Sequence, residues 1–202
     1  MTTPRDLLII AMDTGSGSPV EQGELSLALA GAEVIDLLSA EAVRLDGDRI
    51  VPGHQNAPAD RLLEQAAASL VREEPYESVT DWLWRRGRGL SVAYQAELEA
   101  DGQLVRPRRQ GISFRAGQLV LADSPARRRA ADRRAADEPV LITLAGAVGV
   151  GGKRTEDAPD VADDVATVLA AVSDALVELA SVRQRRAIED AAFDNIWRGG
   201  GG

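Results

Sequence analysis

The segment from Glu24 to Leu38 places Leu25, Leu27, Leu29, Ala32, Ile35, Leu37 and Leu38 among Ala and Gly residues, so a helix built from it is apolar on nearly every side. Such a helix is stable only when other elements cover it, and the rest of the chain must supply that cover. Aromatic residues make up only 3% of the sequence, so Leu, Val, Ile and Ala have to fill the core. A chain of 202 residues is long enough for one core of this kind.

Further helices follow from the spacing. Leu7, Leu8, Ile10 and Ala11 share a face after Pro4, which suits a first helical turn. The run from Leu7 to Met12 is too short to span a bilayer and lacks the flanks of a signal peptide, so export is not expected. Pro58-Ala-Asp opens a helix through about Arg72, with Leu62, Leu63, Ala66 and Leu70 on one face, and Pro75 stops it. Ser78-Val-Thr-Asp resembles a capping box ahead of Trp82, Leu83 and Trp84. Leu90 to Ala100 reads as helix ended by Asp101-Gly102, and Pro125 starts an Arg-rich helix through Arg134. Val140 to Val150 is apolar and ends in glycines. The longest helix spans about Asp160 to Val182, with Val161, Val165, Val168, Leu169, Val172, Leu176 and Leu179 on one stripe, and a separate last helix holds Ile188, Ala192 and Ile196.

Two short β-hairpins complete the reading. Val43 to Val51 alternates around Asp46-Gly47, a strong turn signal. Further on come two β runs, Gln103 to Arg106 and then Ile112 to Val120, the latter turning at Ala116-Gly117. The expected fold is mainly α: one compact helical domain over residues 1–198 with two small hairpins, followed by a disordered glycine tail at 199–202.

The net charge is -9, which excludes a uniformly basic surface. The charge is unevenly spread, however. Twelve Arg and five acids lie between Arg85 and Arg134, giving +7 there and -16 elsewhere. Arg presents a planar fork of donors that matches phosphate oxygens, so this band can bind phosphate groups. Equally, the same residues can be solvated and paired with the acidic remainder.

Other constellations carry less. Cys is absent, which excludes disulfides, thiolate ligands and a Cys nucleophile. His54, the only histidine, reads as a loop residue. The glycines before Lys153 fail the phosphate-loop spacing, because Ala147 stands where the first Gly should be and Arg154 replaces the Ser/Thr. Glu156, Asp157, Asp160, Asp163 and Asp164 match no calcium loop and suit the start of a helix instead. No catalytic triad or carboxylate pair emerges, so neither an enzyme, a metal nor a cofactor is expected.

Several segments, taken in order, resemble the Golgi phosphoprotein 3 family and in particular its shorter bacterial-type members. PRDLLIIAMD is similar to the family's opening helix, and LALAGAEVIDLLSAEAVRLDGDRI to its next helix and hairpin. NAPADRLLEQAAASL, ESVTDWLWRRGRGL and AELEADGQLVR resemble three later segments. The resemblance implies a cytosolic helical domain that attaches to the cytoplasmic face of membranes by binding phosphatidylinositol 4-phosphate through a Trp and three Arg. It also implies a hairpin that assists attachment and self-association, and so a homo-oligomer. Carried onto this chain, the Trp falls near Glu21, the first Arg near Ala30, the second on Arg88 and the third near Ser91. Only Arg88 keeps the family's side chain, with Arg85, Arg86, Arg106, Arg108 and Arg109 as neighbours able to rebuild a basic pocket. The hairpin corresponds to Ile112 to Leu121, where Ile112, Phe114, Leu119 and Val120 offer apolar tips.

The expected partner is therefore an anionic, phosphoinositide-like lipid. Four Arg at about 1 kcal/mol each near an anionic bilayer give only roughly millimolar affinity, so charge needs a pocket, apolar insertion or avidity beside it. A winged-helix DNA binder is the alternative for Leu90 to Ala100 and its hairpin, but Glu97, Glu99 and Asp101 would face phosphates with the wrong sign, so no nucleic acid is expected. A structural adaptor that uses the Arg band against acidic surfaces is the third reading.

Overall fold

The structure, a computed structural model, describes residues 2–13, 20–55, 59–105, 119–150 and 160–199. Among them the order is α1 (Thr3–Asp13), α2 (Gln22–Ser39), β1 (Val43–Asp46), β2 (Arg49–Pro52), α3 (Arg61–Ala68), α4 (Val79–Arg86), α5 (Leu90–Ala100), β3 (Leu104–Val105), β4 (Val120–Leu121), α6 (Pro125–Ala135), α7 (Pro139–Ala147) and α8 (Asp163–Gly199). The mainly helical architecture with two antiparallel two-stranded sheets agrees with the sequence pattern.

Helix α2 is the axis of the fold. It packs against α1, α3, α4, α5, α7, α8 and β1, and it is buried almost continuously from Leu25 to Leu37. Burying each Leu on this helix contributes about 1.5–3 kcal/mol relative to exposure. Closest to it is α8, where a Cβ on Gly31 would lie 2.3 Å from Val172 Cγ2. Trp82 is fully buried against α2, and its indole N–H donates to the Ala30 carbonyl at 3.2 Å, so the ring loses no polar partner on burial.

Four local features depart from the sequence-based expectation. In the first hairpin, Asp46 pairs with Arg49, so the loop is Gly47-Asp48, with φ +61 at Gly47. A loop with glycine first matches the twist of the strands it joins. Helix α3 ends at Ala68 rather than near Arg72, since the Ser69 hydroxyl donates to the Ala66 carbonyl and closes the last turn. Residues 163–199 form one helix, not two, because no Gly or Pro interrupts the chain between Val182 and Ile188. That helix also runs through Gly199, the first residue of the expected tail, and residues 200–202 lie outside the described ones.

The stretch Asp163–Asp190 is long and apolar enough to cross a membrane by length and composition, its most apolar 18 residues having a mean hydropathy of 1.8. Here Val168, Leu169, Val172, Ala175 and Leu176 pack into the core, and α8 docks on α2, α4 and α7. Asp163 and Asp164 occupy its first turn, where negative charge complements the helix dipole.

Candidate functional site

The described residues of the basic stretch do not form one face. Their arginines divide among α4, which packs on α2 and α8, the α4–α5 loop that carries Arg88, and α6, which packs on α1 and α7. Most meet carboxylates. Arg85 forms a two-pronged pair with Glu77 at 2.6 and 2.7 Å and lies 5.0 Å from the centre of the Trp82 ring. On α6, Arg127 pairs with Asp13, Arg128 with Asp123 at 2.7 Å, and Arg133 with both Asp6 and Glu138 at 2.6 and 3.1 Å. Arg129 and Arg134 are also engaged.

Arg86 points into the protein. Its guanidinium donates to both oxygens of Glu33 at 2.8 Å and to the Leu62 carbonyl at 3.0 Å. Glu33 is fully buried and also accepts from the Tyr94 hydroxyl at 3.1 Å. Burial pushes the Glu33 carboxyl above its usual range, opposed by Arg86 and Tyr94, and it pushes the Tyr94 hydroxyl upward as well. Arg86 therefore stands apart from any exposed head-group site.

Arg88 differs from all of these. It is exposed and has no ion pair or hydrogen bond among the described residues. It lines a cavity of about 300 Å³ where the start of α2, the α4–α5 loop and α8 meet. Gln22, Gly23 and Ser26 form one wall, Ser91 and Val92 another, and Trp84 and Leu179 add apolar surface. Helix α2 begins after Glu21 and α5 after Gly89, neither with a side-chain cap, so two positive helix ends border the cavity. Gly89 has φ +71, a conformation that favours glycine.

Hydrogen bonds hold the walls together. The Ser91 N–H donates to Ser26 Oγ at 3.1 Å, the Ser26 hydroxyl donates to Ser91 Oγ at 2.9 Å, and the Ser91 hydroxyl reaches the Gln22 carbonyl at 3.3 Å. Arg183 crosses from α8 to Glu24 at 2.9 Å and Glu21 at 3.6 Å, passing over Gly23. A Cβ on Gly23 would lie 2.9 Å from its Nη2. The cavity can thus receive an anion on Arg88, although Glu21 and Glu24 already share Arg183.

The positions carried over from the family separate accordingly. Arg88 and Ser91 line the cavity, and Glu21 sits just before Gln22 at its edge. Ala30 is fully buried and does not line it. Arg85 does not line it either. Arg106, Arg108, Arg109, Ile112 and Phe114 lie outside the described residues. Of the hairpin, Leu119 is half-buried, whereas Val120 pairs with Val105 and the two are 39% and 44% exposed, turning an apolar pair outward while Leu104 and Leu121 face the core. Ser26, Trp84 and Leu179, which line the cavity, and Arg183, which braces its edge through Glu24, were not singled out as candidates by sequence spacing.

His54 borders a different cleft of about 610 Å³ with Glu41, Arg44 and Asp164. Gly53 is required beside it, because a Cβ there would sit 2.2 Å from the Glu41 carbonyl oxygen. Among the described residues no group of three or more His, Cys, Asp or Glu side chains is placed to hold a metal.

No curated protein matches the chain. From residue 4 in α1 to residue 191 in α8 the sequence matches the family described as Golgi phosphoprotein 3 (GPP34), and the chain belongs to that family.

Proposed function

We propose that this protein is a peripheral membrane protein of the cytoplasmic face that holds an anionic phospholipid head group in the Arg88 cavity. Its family is a non-enzymatic, lipid-binding one, and phosphatidylinositol 4-phosphate is the ligand that membership implies. The observation that carries the reading is Arg88, without a partner among the described residues, in a concave site bordered by the starts of α2 and α5. A phosphate monoester there accepts charge-assisted hydrogen bonds from the guanidinium and faces the positive helix ends. About 300 Å³ admits a head group rather than a whole lipid. One Arg near a bilayer is worth about 1 kcal/mol, so apolar contact must add to it, and the outward Val105 and Val120 pair provides some. The hairpin they belong to is the proposed self-association contact.

Co-sedimentation with vesicles that contain or lack phosphatidylinositol 4-phosphate tests the proposal. Preferential pelleting with the phosphoinositide, lost in Arg88→Ala, supports it. Equal failure to bind both kinds of vesicle removes it.

A second reading has its own support. Arg85, Arg127, Arg128 and Arg133 already meet carboxylates, which favours an adaptor whose Arg residues serve the fold and acidic surfaces. In that case Arg88→Ala leaves vesicle recruitment unchanged. Duplex DNA is disfavoured because α5 buries Leu90, Tyr94 and Leu98, and its Glu97 is bound to Arg5 and Arg61.

A further inference from the structure

Gly23, Ser26, Ala30 and Glu33 are spaced by three or four residues along the largely apolar α2 and so form one stripe. Each member of the stripe meets α4, α5 or α8 through a different group. Glu33, 0% exposed, accepts both prongs of Arg86 at 2.8 Å and the Tyr94 hydroxyl at 3.1 Å. Arg86 is the last residue of α4 and Tyr94 lies in the second turn of α5. One carboxylate therefore ties together the two helices that flank Gly87-Arg88-Gly89.

The loop is held at other points as well. Toward the start of α2, Ser26 binds Ser91, and the Ala30 carbonyl accepts from Trp82. Gly87 is pressed against its surroundings, since a Cβ would lie 2.5 Å from the Leu83 carbonyl oxygen and 3.4 Å from both Leu27 Cδ2 and the Ser26 carbonyl oxygen. Arg88 has no side-chain partner among the described residues, so the backbone around it sets its aim.

A buried ion pair is a poor device for stability alone, because well-packed apolar residues of the same volume often serve as well. What this one supplies is a fixed position. We infer that Glu33, acting through Arg86 and Tyr94, is a positioning residue that presets the Arg88 loop for an anionic ligand. This rests on the head-group reading of the cavity. A loop already in its bound geometry avoids the ordering cost that a mobile arginine would incur on binding.

The test uses the full chain and two mild variants. Tyr94→Phe removes one hydrogen bond to Glu33, and Arg86→Lys keeps the charge but loses the fork. Leu141→Ala, in α7 and away from the loop, serves as a comparison that lowers stability without touching Glu33. Without lipid, amide hydrogen exchange at Gly87 to Gly89 is expected to rise about fivefold to tenfold in both loop variants, the ratio that one lost hydrogen bond implies, and to stay unchanged in Leu141→Ala. With vesicles, the preference for phosphatidylinositol 4-phosphate over an equal charge of phosphatidylserine should fall by a similar factor in the loop variants only. Unchanged exchange in the folded loop variants overturns the inference, as does a preserved lipid preference. If the wild type itself shows no lipid preference, the head-group reading falls, and the exchange rates alone then decide whether Glu33 holds the loop.

Discussion

Arg86 and Arg88 stand two positions apart and have opposite fates: Arg86 is bound at 2.8 Å to the buried Glu33, while Arg88 lines an open cavity without a partner among the described residues. Gly87 lies between them as the C-cap of α4, with no room for a side chain. Two arginines alike in sequence thus become a structural tie and a free donor. Pairing describes Arg86, and Arg88 is the residue left available for the proposed anion binding.

Their unfolding energetics should differ in the same way. Arg86→Ala leaves Glu33 buried without its counter-charge, which costs about 3–5 kcal/mol. Arg88→Ala removes an exposed and unpaired side chain and should change stability by no more than about 0.5 kcal/mol. Urea denaturation followed by circular dichroism measures both. Equal midpoints for the two variants would contradict the pairing described for Arg86.

Glycine substitutions offer a second contrast. A Cβ at Gly53 would meet the Glu41 carbonyl oxygen at 2.2 Å and the Ala42 carbonyl carbon at 2.9 Å, and backbone cannot move aside as a side chain can. Gly53→Ala should therefore destabilise by about 1–3 kcal/mol. Gly146 lies within α7 with open space for 4 Å around where a Cβ would stand, so Gly146→Ala should stabilise by about 0.4–1 kcal/mol by restricting the unfolded chain. The order of their melting temperatures is the check.

Local elements were readable where one physical cause acts over a few residues. The bounds of α5 follow from Gly89 before it and Asp101-Gly102 after it. Burial of α2 from Leu25 to Leu37 follows from Leu, Ala, Val and Ile recurring on most of its sides. The charge imbalance was equally plain, but the pairing inside it was not, because Glu33 and Arg86 are 53 residues apart and Arg183 and Glu24 are 159 apart. Nothing near Arg183 marks it as a neighbour of Gly23. Trp84 was visible as an aromatic residue, yet its place at the cavity depends on how the Gly87 to Gly89 loop turns α5 back along α2.

Asp36 should make stability depend on pH. Its carboxylate accepts from the Thr3 N–H at 2.7 Å, and burial lifts its pKa above the usual aspartate value of 3.8. The Thr3 bonds and Arg133 oppose that rise, and Asp6 adds to it. A raised folded pKa favours the neutral acid in the fold. The associated stability is fully present below pH 3.8 and is lost as pH rises through the folded value. Asn at this position stays neutral and still offers Thr3 an acceptor. The melting temperature of Asp36→Asn relative to the wild type should therefore be higher at neutral pH than at pH 3.5, the difference shrinking steadily as acid is added. A difference that does not vary with pH would show that Asp36 carries no shifted titration.

The contact between α2 and α8 supports a prediction about coupling. At Gly31 the two helices approach so closely that a Cβ would lie 2.3 Å from Val172 Cγ2, with Leu83 Cδ2 and Val168 Cγ1 each at 3.7 Å. Gly31→Ala alone overpacks this crossing and should cost about 1–3 kcal/mol, even though alanine is the better helix former. Val172→Ala alone opens a cavity at a residue only 1% exposed, at a cost of about 2 kcal/mol. Together the new methyl group occupies the space that the valine vacates. The double variant should therefore be more stable than the sum of the two losses predicts, with a coupling of about 1 kcal/mol or more, within the range seen for residues in contact. Additive losses in a denaturant series would mean that α8 is docked elsewhere, and the wall that Leu179 contributes to the Arg88 cavity would move with it.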